Sequence, residues 1–210
     1  MSNGQSAALT HMYWLGGSVC SGKSTISELL ASSYGLQVYH CDRHEAAHVT
    51  RSQPNRHPTL AATNTLTMDE HWLLPPAQQL AARSIQFHRE RFEFIIEDVL
   101  AMPQDRPFLA EGFGLLPELV LPVLTDARHA IWLISRPDFL TAMRVKRGMT
   151  VPALTSDPAR ARAQVIARDM LMAESLRQSV ADHGLAMIDI DGGLSIDETA
   201  ARVARHFGLR

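Results

Sequence analysis

The sequence predicts an α/β fold in which helices cover both faces of a five-stranded parallel sheet, and two observations carry that expectation. Short apolar runs alternate with amphipathic helical stretches along the 210 residues, which is the pattern of strands joined by helical crossovers. Between the first run and the first helix stand Gly17, Ser18, Val19, Cys20, Ser21, Gly22, Lys23 and Ser24, which satisfy G-x-x-x-x-G-K-[ST]. The glycines let the main chain curl so that successive N–H groups point inward, at a helix start that adds positive potential. Such a curl suits a polyphosphate. Lys23 is one of only two lysines in the chain, the other being Lys146, so the motif is not a by-product of lysine-rich composition.

Taken in order, strand one is expected over Met12–Leu15 and helix one from Lys23, with Ile26, Leu29, Leu30 and Tyr34 on one face. Gly35 stops that helix, and Leu36–His40 reads as strand two, followed by a helix to about Arg51. Ser52–Pro76 is rich in Pro, Thr, Asn and His and has no periodicity, so it is expected to be an irregular lid or acceptor loop. Pro76 opens a long helix to about Met102, with Leu80, Phe87, Phe94 and Ile95 on one side and Arg83, Arg89, Glu90 and Glu93 elsewhere. Strand three follows at Phe108–Ala110, a helical stretch at Leu115–Leu124, and strand four at Ala130–Ile134. A helix from Pro137 to Arg147, an irregular loop over Met149–Pro158, a long helix over Ala159–His183, strand five at Met187–Ile190 and a last helix over Asp197–Phe207 complete the chain.

Composition narrows the classes of partner. A net charge of -2 supplies no basic excess for nucleic acid or anionic membrane, and no apolar run approaches the length of a span. Two cysteines, Cys20 and Cys41, form no framework and no C-x-x-C, so a reducing cytoplasm is expected. Residues 1–10 are small and polar and read as a disordered leader, leaving 11–210 as a single domain.

In open parallel sheets, ligands sit beyond the carboxyl ends of the strands. That rule singles out Asp42 after strand two and Glu111 after strand three, beside the phosphate loop. One would accept the proton of an acceptor hydroxyl, and the other would bind a metal ion through water, with the assignment open between them. The plain readings are a helix cap for Asp42 and a solvated strand end for Glu111. Ser24 would complete the coordination of Mg2+. Cations for a moving phosphoryl group are Arg147 and its neighbour Arg144, which otherwise complement a helix dipole, and Arg168, which otherwise tethers an internal carboxylate. Arg168 and Asp169 fall on the margins of a stripe formed by Val165, Met172, Leu176 and Val180.

Two further patterns compete. His44-Glu45-Ala46-Ala47-His48 is a literal H-E-x-x-H, which on a helix would present two imidazoles to zinc, with Glu70 as a conceivable third ligand. It lacks the downstream G-x-x-H continuation, and a solvated helix face is the simpler reading. Asp189-Ile-Asp-Gly192 resembles a D-x-x-G switch, but no N-K-x-D segment precedes it, so it marks the end of strand five, with Gly192-Gly193 expected near the base of a nucleotide. Cys20 is expected to be a small residue tolerated within the loop.

With these residues in view, the chain resembles the nucleoside monophosphate kinase-like branch of the P-loop kinases, near small actinobacterial-type members of undefined substrate. The resemblance rests on GGSVCSGKST through Thr25, Tyr39-His-Cys-Asp42, Phe108-Leu-Ala-Glu-Gly112, Leu115-Leu-Pro-Glu-Leu119 and Ala167-Arg-Asp169. It implies a three-layer αβα P-loop NTPase fold with strand order 2-3-1-4-5, an acceptor-binding helical insertion at about 43–102 and an arginine-bearing lid at about 147–168. It also implies ATP as donor with Mg2+, transfer of the γ-phosphoryl group to a small-molecule hydroxyl or phosphate, and Asp42 as base. No acceptor-phosphate arginine follows strand two, so a hydroxyl-bearing metabolite or antibiotic stays as open as a nucleoside monophosphate. A non-enzymatic nucleotide switch is the alternative from another class.

Overall fold

Alternation along the first strand decides how the layers form: Met12 and Trp14 point to one face of the sheet, and Tyr13 and Leu15 to the other. A computed structural model describes residues 9, 12–103, 105–149 and 152–210 of the chain. The strands are β1 (Met12–Gly17), β2 (Gln37–His40), β3 (Phe108–Glu111), β4 (Ala130–Ser135) and β5 (Ala186–Ile190). They form one sheet in the order β2-β3-β1-β4-β5, and every pairing is parallel. This is the expected architecture and order.

Helices α1 (Lys23–Tyr34) and α9 (Ile196–Phe207) cover one face, where Ile26, Leu30, Val203 and Phe207 pack on Leu15, Leu109, Ile131 and Leu133. The opposite face is covered by α5 (Ala77–Ala101) and α8 (Pro158–Asp182), whose Phe92, Ile95, Leu176 and Val180 meet Trp14, Phe108 and Trp132. Val165, Met172, Leu176 and Val180 are all buried, as the helical spacing predicts. Gly16 is required by packing. A Cβ there would stand 2.2 Å from the Trp132 indole nitrogen, which itself donates to Leu115 O at 2.8 Å.

Three expectations change. Ser52–Pro76 is not irregular, since it holds α3 (Pro58–Thr63) and α4 (Met68–Trp72), too short to show a period. Thr67 and Glu70 build a reciprocal capping box at the start of α4. Glu90, expected on a polar side, is buried because its Oε2 accepts from Thr59 N at 2.9 Å and Leu60 N at 3.0 Å, closing the first turn of α3. Tyr34, expected on the inner face of α1, is exposed.

The helix after β2 begins as a 3-10 turn over Cys41–His44 and continues as α2 (Glu45–Arg51). Between β3 and β4 lie α6 (Pro117–Val120) and two 3-10 turns, and α7 (Pro137–Arg147) follows β4. The expected leader lies outside the described residues except Leu9, which is buried in the sheet core. Residues 150 and 151 of the expected lid also lie outside them. No helix among the described residues is long and apolar enough to cross a membrane.

Candidate active site at the carboxyl ends of the strands

The loop between β1 and α1 is a left-handed curl fixed to its neighbouring strand. Gly17, Cys20 and Gly22 have φ of 139°, 61° and 85°, and Cys20 is the one non-glycine with positive φ among the described residues. A side chain held there costs about 1 kcal/mol, a strain that the surrounding hydrogen bonds sustain. Ser18 N donates to Leu133 O at 2.9 Å, and Ser18 Oγ accepts from Ser135 N at 2.7 Å. No side chain caps α1, so its first-turn amides face the cavity that the loop surrounds. Lys23 is 7% exposed, with Nζ donating to Ser18 O at 2.7 Å. Burial pushes its pKa down, while Asp42 and Glu111 oppose that shift.

Two cavities meet beside this loop. The smaller, of about 350 Å³, is lined by the loop from Val19 to Thr25 together with Asp42, Phe113, Arg144 and Arg147. The larger, of about 870 Å³, runs between α2, α3, α4 and α5, with Arg168 of α8 on its wall. Val19, Asp42 and Phe113 line both. Asp42 therefore stands where the two join, with its side chain 52% exposed and only long contacts, 3.8 Å to Arg91 Nη1 and 3.5 Å from Phe113 N.

Glu111 is placed differently. It is buried, its Oε1 pairs with His40 Nδ1 at 2.7 Å, and its Oε2 is a buried acceptor without a hydrogen-bond partner among the described residues. The next residue, Gly112, packs against the turn after β2, where a Cβ would lie 2.7 Å from Cys41 Cβ.

The expected arginines separate. Arg147 lines the smaller cavity, is exposed, and makes no ion pair among the described residues. Arg168 lines the larger one and is not on the loop's cavity at all. It lies 2.8 Å from Asp169 in an ion pair whose Nε–H does not point at the oxygen, and its guanidinium sits 5.5 Å above the Trp72 ring. Asp169 is fully buried and also binds Arg144 through Nε at 2.7 Å, so one carboxylate joins an arginine of each cavity. The tether reading of Arg168 is thus part of the structure.

Arg91 is not among the expected site residues, although its place four after Phe87 and three before Phe94 sets it on the inner face of α5. It is fully buried on α5, donating to Cys41 O, to His48 Nδ1 at 3.1 Å and to Glu45 at 3.2 Å. These bonds fix the turn that carries Asp42. They also dismantle the H-E-x-x-H. Since His48 Nδ1 accepts from Arg91, its Nε2 carries the proton and donates to Asp98 at 2.8 Å, and burial lowers its pKa. His44 stacks on Tyr39, and no three His, Cys, Asp or Glu side chains gather as a metal cage among the described residues. Asp189 of the D-x-x-G pairs with Arg177 and Arg136 at the sheet edge.

No protein-family model matches the chain, and no curated protein matches it. Among solved structures, an uncharacterized protein from Eubacterium ventriosum matches with TM-score 0.47 and 14% identity, covering 95% of this chain and 98% of its own. Deoxyadenosine kinase from M. mycoides with bound dATP matches with TM-score 0.49 and 12% identity, covering 94% and 99%. The same enzyme with bound dCTP gives 0.47 and 11%, covering 94% and 99%. At these values the likeness decides nothing about activity, and the site has to be read from its own residues.

Proposed function

We propose that the protein is an ATP-dependent phosphotransferase that passes the γ-phosphoryl group to a small molecule held in the larger cavity. The observation that carries this is Asp42, a half-exposed carboxylate on the wall shared by the phosphate loop and a separate chamber large enough for a metabolite. A switch that only hydrolyses nucleotide has no need of that second chamber.

The triphosphate would lie on the curl of Gly17 to Thr25, with Lys23 at its outer phosphates. Burial pushes the Lys23 pKa down, and the nearby Asp42 and Glu111 oppose that shift. Asp42 would take the proton from the acceptor hydroxyl as the bond to phosphorus forms. Arg147, free of partners among the described residues, would close over the transferred group, and Arg144 is already held toward it by Asp169. Arg168 would act from the acceptor side. The helices of 43–102 would serve as the acceptor-binding insertion, and 147–168 as the lid that excludes water.

The donors at the loop fit a hard divalent cation. Ser24 and Asp42 line the smaller cavity, and Glu111, near enough to Lys23 to act on its charge, has in Oε2 a buried acceptor with no hydrogen-bond partner among the described residues, a set suited to Mg2+ that keeps most of its water. Bound there through Ser24 and through water to Glu111 or Asp42, Mg2+ would neutralise phosphate charge.

Calorimetry with ATP and magnesium tests the donor half. Lys23→Met should weaken ATP binding by about tenfold or more, since a hydrogen bond to a charged group is lost. Its melting temperature should not fall, because a buried ammonium is removed. ATP affinity unchanged in Lys23→Met would overturn the reading. A screen of hydroxyl compounds for accelerated ADP release tests the acceptor half.

A further inference from the structure

The wall of the larger cavity supplied by α5 has a regular spacing: Leu80, Arg83, Ser84, Phe87 and His88 line it, and Arg91 lies one turn further on. These positions give the chamber a long axis with unlike ends. At one end Arg91 Nη1 lies 3.2 Å from Glu45 and 3.8 Å from Asp42. Arg83 is eight residues away on the same helix, about 12 Å along its axis. There its guanidinium donates to the carbonyls of Glu70 and His71, and it has no carboxylate partner among the described residues. Arg168 reaches the same region from the opposite wall, above Trp72, whose ring stacks on His71 at 4.5 Å.

The charged side chains that line the chamber are Asp42, Glu45, Arg83 and Arg168, and the two carboxylates lie beside Arg91. Glu45 is already held by Arg91, and Asp169 is divided between two arginines. Arg83, which has no carboxylate partner among the described residues, and Arg168, which shares Asp169 with Arg144, are the cations left to a ligand. Burial and the two arginines push the His71 pKa down to about 4, and burial and Arg168 push that of Arg83 down. Between the two ends the walls are apolar and aromatic, formed by Leu66, Met68, Leu80, Phe87 and Phe113.

We infer that Arg83 and Arg168 form an anion subsite, and that the acceptor is an apolar hydroxyl compound bearing a carboxylate or phosphate group remote from the hydroxyl that reacts. This anion is not the group phosphorylated, since it lies at the end of the chamber away from Asp42. Which end reacts rests on the phosphotransferase reading; the anion subsite stands on Arg83 and Arg168 themselves.

Trp72 provides a direct readout. Trp14 and Trp132 are 0% exposed in the sheet core, so a change of emission on ligand addition reports the tryptophan that lines the cavity. The probes are 4-(hydroxymethyl)phenylacetate, its methyl ester and 4-(hydroxymethyl)phenyl phosphate, added without ATP. The two anions should shift the emission saturably, and the ester should bind about tenfold or more weakly. The tighter of the two anions identifies the group. Arg83→Gln should reduce the acid to the level of the ester, Arg83→Lys should retain most of the preference, and sodium sulfate should displace the acid from the parent protein. Equal binding of acid and ester by the parent, no response to any probe, or an acid preference that survives both Arg83→Gln and sulfate overturns the inference. If the preference holds while ATP fails to bind, the anion subsite stands and the phosphotransferase reading falls. If ATP binds normally while acid and ester bind alike, the reverse is true.

Discussion

Replacing Asp42 by asparagine should separate chemistry from folding. The carboxylate is half-exposed, and its ion-pair partner lies 3.8 Å away. At that distance, with water-like screening, the attraction is about 1 kcal/mol, and exposed pairs measure 1 kcal/mol or less. Arg91 keeps Cys41 O, His48 and Glu45 in the variant, and the amide oxygen still faces Phe113 N. Stability should therefore fall by no more than about 1 kcal/mol. A positioned general base contributes about 100- to 10,000-fold, or roughly 3 to 5 kcal/mol of barrier. ATP affinity, set by the loop, should stay within about threefold of the parent, well under the 1.4 kcal/mol that tenfold represents. The assay is single-turnover transfer from γ-labelled ATP to an acceptor found by the hydroxyl screen, alongside calorimetry and thermal melting. Transfer within tenfold of the parent, with melting unchanged, would show that Asp42 is not the base.

Two other substitutions probe groups that burial controls. His88 is buried in the cavity wall, and burial, followed by Arg91 and Arg168, pushes its pKa down to about 3. The folded value lies below the unfolded 6.5, so the stability linked to its neutral form is complete above pH 6.5 and is lost as pH falls toward 3. Between pH 7 and 5 the loss is about 2 kcal/mol, and His88→Gln should remove that part of the slope in urea unfolding. Identical slopes in both proteins would refute it. Asp169→Ala leaves Arg144 and Arg168 facing each other without their carboxylate, which should cost about 3 kcal/mol or more, roughly 6–12 °C in melting temperature. A melting point within 2 °C of the parent, about 1 kcal/mol or less, would mean that solvent already screens the pair.

Local signals made the phosphate loop, the strand ends and the inner stripe of α8 legible in the sequence. A curl needs its glycines at fixed positions, and a parallel sheet needs its loops on one edge. Asp42 and Glu111 could be located but not assigned, because a strand end does not show how deeply its side chain is buried. The structure distinguishes them by exposure, with Glu111 buried against His40 and Asp42 half-exposed where the cavities meet. Arg91 and Glu90 were not legible. Glu90 falls off the apolar stripe and is buried by partners 30 or more residues away, whereas Arg91 falls on the stripe and only its partners on the turn after β2 show why a cation is kept there. Arg168 was placed correctly beside the buried stripe, but the chamber it faces is set by the packing of α4 and α5. The short helices of 52–76 were missed because one and a half turns show no period.

The three residues common to both chambers, Val19, Asp42 and Phe113, mark the place where the two meet. Under the proposed function one molecule would lie across that junction, with an adenosine polyphosphate on one side and an apolar acid on the other. Joining the two halves makes the second docking event intramolecular, so a linked inhibitor would gain affinity that neither half has alone, provided its bridge is short enough to pass Phe113.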